Sequence, residues 1–150
     1  MKNHLHELLE DGGLALGAQL RFGSAPIAEL FAAAGYDFVV IDSEHAPQTP
    51  VGILSQLQAV NGYPCTPIVR FGRNDPDEIR LVLDMGAGGV LVPLLKTAAE
   101  VEALVRACRY PPEGTRRFAI LRFMHQKKKH RPEHSGKSTI CIWIKRLTQF

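Results

Sequence analysis

Four short apolar runs recur along the N-terminal part of the chain: Leu14–Leu20, Phe38–Ile41, Pro67–Phe71 and Gly89–Val92. They are rich in Val, Ile and Leu and nearly continuous rather than alternating, which is the pattern of parallel strands covered on both faces. The stretches between them carry start signals for helices. Ser24 precedes Pro26, Thr49 precedes Pro50 and Asp75 precedes Pro76, each a small polar N-cap with proline in the first turn. Thr97-Ala98-Ala99-Glu100 reads as a capping box, in which threonine and glutamate satisfy each other's open backbone donors. Gly35, Gly62 and Gly86 each follow a helix and are expected to take the left-handed conformation that ends it. A further short helix is expected over Asn3–Glu10.

The predicted order is therefore α-β-α-β-α-β-α-β-α, with strands starting at positions 14, 38, 67 and 89. Spacings of 24, 29 and 22 residues suit one βα module each. Such alternation implies a parallel sheet with right-handed crossovers. A doubly wound sheet and a (β/α)8 barrel both satisfy it. Gly12-Gly13 and Gly17 lie before and inside the first strand rather than between a strand and a helix, so a Rossmann nucleotide site is unsupported.

In both architectures, function gathers where the carboxyl ends of the strands meet their loops. The second strand runs into Asp42-Ser43-Glu44-His45-Ala46-Pro47, the third ends at Arg70 and the fourth at Pro93. A histidine beside carboxylates keeps its proton more readily and can act as general acid or base near neutral pH. Asp42 and Glu44 offer oxygen ligands to a divalent cation, directly or through its waters. Arg70 carries a planar fork that matches a carboxylate. Each has a plainer alternative: a solvated loop for the acid–histidine run, and a structural ion pair for the arginine.

Composition adds a division. The chain has 150 residues, 45% hydrophobic and 22% charged, which fits one soluble globular domain and excludes wholesale disorder. No apolar run is long enough to span a membrane, and Met1–Leu9 lacks the apolar stretch of a signal peptide, so a cytoplasmic location is expected. Cys65, Cys108 and Cys141 have no C-x-x-C spacing and read as buried or idle thiols. The formal charge of +3 conceals two pieces: residues 1–115 carry 8 basic and 14 acidic side chains, whereas residues 116–150 carry 10 basic ones and a single acid, Glu133.

The motifs of the first piece are together similar to those of one family. Phe38-Val39-Val40-Ile41-Asp42-Ser43-Glu44-His45-Ala46-Pro47 resembles the D-x-E-H-A-P signature of the HpcH/HpaI aldolases. The likeness continues through Thr66-Pro67-Ile68-Val69-Arg70, Asn74-Asp75-Pro76, Leu83 to Pro93, and Ala107 to Arg116, and covers about residues 3–116. The resemblance implies the first four βα modules of a (β/α)8 TIM barrel. It also implies metal-dependent aldol cleavage of 4-hydroxy-2-oxo acids to pyruvate and an aldehyde, in an enzyme that is a homo-oligomer acting on a small 2-oxo acid. By the same resemblance His45 is the acid/base, Asp84 its carboxylate partner, and Arg70 the clamp on the pyruvyl carboxylate and developing enolate. Asp42 and Glu44 match positions near the water shell of a divalent ion (Mg, Mn or Co), whose direct glutamate and aspartate ligands come from later strands that nothing here matches. Asp84 falls at a predicted helix end, on the face away from the site. The resemblance therefore allows it the histidine of a neighbouring subunit; the alternative is a surface aspartate.

The chain also departs from that pattern. Gln19 stands where members often carry tryptophan, and four modules are about half of a barrel of about 250 residues. The first and fourth strands are then expected to have unpaired edges, making the fragment marginal, aggregation-prone or dependent on self-association. After Arg116 the likeness is expected to stop. Residues 117–150 are read as a separate basic tail, translated out of frame or otherwise substituted. The run from His125 to His134 gives the competing reading, a non-catalytic fragment whose tail binds nucleic acid or acidic partners. Gly136-Lys137-Ser138 lacks the earlier glycine and strand of a P-loop, and His125, His130 and His134 have no cysteine pair to complete a zinc site.

Overall fold

The computed structural model describes residues 3–117 and the backbone of a strand at 140–144. The element order is α1 (His4–Glu10), β1 (Gly17–Leu20), α2 (Ala25–Ala33), β2 (Phe38–Asp42), α3 (Pro50–Val60), β3 (Thr66–Arg70), α4 (Pro76–Met85), β4 (Gly89–Pro93), α5 (Ala98–Cys108) and β5 (Ile140–Ile144). The first nine elements follow the predicted alternation. Their caps also form as expected: Thr49 accepts from the Gly52 N–H, Asp75 from the Asp77 and Glu78 N–H groups, and the Thr97/Glu100 box closes in both directions. Ser24 occupies its N-cap position without a side-chain bond.

Two local expectations change. The first strand begins at Gly17 rather than Leu14, leaving Leu14 and Leu16 exposed ahead of it. Gly35 and Gly86 do take positive φ, at 89° and 112°, but Gly62 is not among the positive-φ residues. Helix α3 ends instead on Asn61, which keeps right-handed geometry, so no left-handed glycine is needed there.

The sheet is parallel and sequential, β1-β2-β3-β4-β5. A doubly wound sheet would reverse its order about the first strand; none of the described strands does so. Along each strand side chains alternate between two faces. Leu20, Val39, Ile41, Val69, Phe71, Val90 and Val92 pack in one core with Ala28, Ile53, Leu57, Ile79 and Leu104 of helices α2–α5. The opposite face holds a smaller cluster of Leu5 from α1 with Ile68 and Leu91, joined by Phe38 and Val40. Gly17 is required on that face: a Cβ there would fall within the Phe38 ring.

Helix α1 lies across the amino ends of the strands. Asn3 donates to the Gly88 carbonyl (2.8 Å) and accepts from the Thr66 hydroxyl (3.0 Å), which in turn accepts from the Leu5 N–H. His4 Nε2 lies 2.9 Å from Asp37 Oδ1, and the other Asp37 oxygen accepts from the Leu16 N–H at 2.8 Å. This end of the sheet is thus closed by a polar floor. Cys65 and Cys108 are buried, as read from the sequence, and burial pushes the Cys65 thiol up to about 11.

The fourth strand's edge departs from expectation. It is not open: all five residues of β4 pair in parallel with 140–144, with Gly89 opposite Ile140 and Pro93 opposite Ile144. The ladder groups of β4 that the sequence reading left unpartnered are met by a segment of the basic piece. The histidines and basic run at 122–137, with the Gly136-Lys137-Ser138 motif, lie outside the described residues.

Candidate active site

Asp42 and Arg70 close β2 and β3 and are register partners across the ladder. Because Val39 and Ile41 point to the helices, Val40 and Asp42 must point the other way, and Arg70 does so by the same alternation beside Val69. The carboxylate of Asp42 is fully buried at the rim opposite the α1 floor. Its Oδ1 accepts from the Glu44 N–H (3.0 Å), the His45 N–H (3.1 Å) and Arg70 Nε (3.0 Å), while Oδ2 accepts from Gln19 Nε2 at 2.7 Å. Burial alone would raise its pKa. The bonds from His45, Gln19 and Glu44 and the charge of Arg70 outweigh it and hold the group below the ordinary carboxylate range.

Glu44 is the second carboxylate beside Arg70, an ion pair with Oε2 at 3.0 Å from the same Nε. The guanidinium is therefore fixed through its Nε between two carboxylates, and its terminal amino groups make no further bond among the described residues. Ser43 completes the turn: its N–H and its hydroxyl both donate to the Arg70 carbonyl. The bonds from Asp42 to the N–H groups two and three residues on make a side-chain-capped turn, which lifts His45 out over the rim. The imidazole is well exposed and lies 3.6 Å from Glu44 Oε1. The arrangement offers an oriented cationic fork for an anion and an accessible imidazole for proton transfer on one face.

Of the five residues singled out from sequence, Asp42, Glu44, His45 and Arg70 come together. Asp84 does not. It ends α4, which runs antiparallel to the strands, so it lies toward the floor side. Arg116 NH2 holds it at 2.8 Å, itself stacked 4.6 Å over the Tyr110 ring. The expected pairing of Asp84 with His45 is not made within the chain. Three rim residues escaped the sequence reading as functional candidates. Gln19 is one, as the amide that saturates Asp42. Arg21, just past β1, reaches the same carboxylate. Leu94, after β4, takes a left-handed φ of 61°. Alternation continued past the end of β1 would have placed Gln19 and Arg21 on the site face; no local signal marks Leu94.

Metal binding needs open oxygen or nitrogen ligands. Both Asp42 oxygens are already saturated and Glu44 is engaged by Arg70, and the described residues contain no group of three or more side chains able to hold an ion. The described residues as placed do not form a direct metal site.

A sequential parallel sheet with helices on one face and a polar cluster at its carboxyl rim is the arrangement of a barrel-type α/β fold. The family model of the HpcH/HpaI aldolase/citrate lyases matches residues 21–145, and the chain belongs to that family. The expectation that the likeness stops after Arg116 does not hold: the match continues to residue 145 and takes in β5. Among curated relatives, 4-hydroxy-2-oxo-heptane-1,7-dioate aldolases from Klebsiella pneumoniae and Salmonella dublin are 38% and 36% identical over 146 residues, 96% of this chain. The chain spans 55% and 56% of their lengths, about half of each. Among solved structures, an HpcH/HpaI aldolase/citrate lyase family protein from Burkholderia cenocepacia superposes with a TM-score of 0.83 at 30% identity, over 95% of this chain and 59% of that one. The citrate synthase SbnG follows at 0.75 and 33%, over 93% and 54%. No described helix is long and apolar enough to cross a membrane.

Proposed function

We propose that this chain carries the substrate-head half of an aldolase site, for cleavage of 4-hydroxy-2-oxo acids to pyruvate and an aldehyde and for the reverse condensation. The observation that supports this reading most directly is the convergence of Arg70, Asp42, Glu44 and His45 on one rim, with the fork of Arg70 anchored through Nε alone. In the proposed step, the terminal amino groups of Arg70 bind the carboxylate of the 2-oxo acid and steady the negative charge that grows on the enolate. His45 takes the proton of the 4-hydroxyl as the C3–C4 bond breaks to give the aldehyde and the enolate, and a proton passed back to C3 of the enolate gives pyruvate; condensation runs the same transfers in reverse. Asp42 and Glu44 act as the clamp that aims Arg70 rather than as ligands. The divalent ion that the family resemblance implies would supply Lewis-acid stabilisation of the enolate, but the described residues form no direct site for it, and no step here is routed through it. Asp84 joins it only across an assembly, facing His45 of a second copy.

The experiment is a binding titration of the 150-residue chain with pyruvate, paired with an aldolase assay with and without Mg, Mn or Co. Pyruvate is expected to bind weakly and to lose about tenfold in affinity with Arg70→Met, the value of one charge-assisted pair. Turnover is expected to be low. Pyruvate binding indifferent to Arg70→Met would overturn the reading, and robust turnover abolished by His45→Ala would overturn the claim that the chain holds only part of the site.

A further inference from the structure

A cavity of about 220 Å³ opens between α3 and α4, on the helix side of the sheet. The alternation that turns Asp42 and Arg70 to the site face turns Ser43 and Phe71 the other way, and both line this cavity. Ile53 of α3 and Val82 of α4 complete an apolar wall with Phe71, and Leu81, 45% exposed, lines its open side. None of Asp42, Glu44, His45 and Arg70 lines it, so the cavity is separate from their cluster.

Three polar side chains line the cavity, and two of them are already committed. The Ser43 hydroxyl donates to the Arg70 carbonyl, and Arg73 holds the Glu78 carboxylate at 2.7 Å. The third, Gln48, is oriented by a relay. The Gly52 carbonyl can only accept, so the fully buried Gln56 must turn its Nε2 to it, at 3.0 Å. The same Nε2 donates to Gln48 Oε1 at 3.0 Å, which leaves Gln48 Nε2 as the outer end of that amide. This Nε2 is buried and has no hydrogen-bond partner among the described residues. A buried donor without an acceptor is costly, so the cavity offers one directed N–H among apolar walls.

We propose that this cavity is a second ligand site, for a small neutral aryl carbonyl compound whose oxygen accepts from Gln48 Nε2. Size sets the ring: an apolar cavity of about 150 Å³ takes benzene, so 220 Å³ holds a ring with a short substituent. The lone donor makes that substituent a carbonyl. Charge sets neutrality, because no arginine, lysine or histidine lines the cavity and Glu78 opposes a carboxylate. The site binds rather than reacts: the Ser43 hydroxyl is spent on the Arg70 carbonyl, and no histidine or thiol lines it. The proposal is independent of the role given to Arg70.

The test titrates acetophenone into the isotope-labelled 150-residue chain and follows its NMR signals, with benzoate as the charged ring of similar size. Saturable shifts centred on Ile53, Phe71 and Val82 are expected for acetophenone, with benzoate binding at least about 10-fold more weakly. Gln48→Met should weaken acetophenone about 3- to 10-fold, the range of one neutral hydrogen bond. Gln56 keeps its bond to Gly52 in that variant, so the circular dichroism spectrum should stay that of the wild type. Leu81→Ala, at an exposed position that spares the fold, should weaken acetophenone about 2- to 5-fold by removing part of the wall. Should Gln48→Met fail to fold, Leu81→Ala and the benzoate comparison decide. Absence of saturable shifts, or shifts centred on other residues, overturns the proposal. So does benzoate binding as tightly as acetophenone, or an acetophenone affinity that the folded variants leave unchanged.

Discussion

Strand β2 is bracketed by two aspartates that fold the same sequence logic into opposite uses. Asp37, just before the strand, sits in the floor and is shared between His4 and the Leu16 N–H. Asp42, at its end, is fully buried and binds Gln19, Arg70 and the turn that carries His45. Both are held below the ordinary carboxylate value: Asp37 chiefly by the Leu16 N–H and His4, Asp42 against the opposing effect of burial. The floor aspartate ties a helix to the sheet. The rim aspartate aims charged side chains at the surface. Parallel strands put every amino end on one side and every carboxyl end on the other, so the same residue type becomes a fastening at one end and part of a site at the other.

The contrast can be broken most forcefully at the rim. Asp42→Ala removes the acceptor shared by Arg70 Nε, Gln19 Nε2 and two backbone N–H groups, leaving Arg70 only Glu44, and should destabilise the chain by about 3 kcal/mol in urea unfolding. A loss below about 1 kcal/mol would mean that water replaces the carboxylate and that the rim is not preorganised. Next is the apolar floor. Ile68 is fully buried between α1 and the sheet, and Ile68→Ala should cost about 2–4 kcal/mol by the same measurement. Undisturbed stability would show that α1 does not seal that face.

The polar floor should respond more weakly and through pH. A carboxylate whose folded pKa lies below its ordinary 3.8 contributes stability above that value and loses it as pH falls through the folded pKa. Asp37→Asn should therefore lose about 1 kcal/mol at neutral pH, and the gap from wild type should close below about pH 4. A gap independent of pH would assign the loss to packing. The smallest effect is expected at Glu44→Gln. Arg70 keeps its bond to Asp42, so stability should change by no more than about 0.5–1 kcal/mol, while pyruvate affinity shifts because the fork is no longer held on both sides. A large loss of stability would make Glu44 a structural partner instead.

Much of this was legible in the chain. Continuous Val/Ile/Leu runs gave the buried parallel strands, and the Thr97/Glu100 box and Asp75 gave helix starts that form as read. The rim run from Asp42 to His45 was legible because three ionisable residues directly after a buried strand have no packing role. Other features were not. Gln19 and Arg21 look like ordinary surface residues until β1 is seen to pair with β2, which sets their side chains against Asp42. Asp84 carried a motif match but finds Arg116, from a turn well beyond α5, a pairing that only the folded path can make. The edge of β4 was read as open because 140–144 lies far along the chain in a basic setting; its pairing is a long-range choice without local signature.

What the sequence determined by itself was local: the helix caps, the strand runs, their alternation and the polar residues that end them. Each follows from backbone propensity and burial within about a dozen neighbouring residues. The tertiary structure alone decided that the strands add in chain order, that β4 is covered by β5, and that Arg21 and Gln19 share the carboxylate that Arg70 holds. These depend on which strand lies beside which and in what register. A shift of one residue would turn Asp42 and Arg70 into the helix layer and leave no site at the rim.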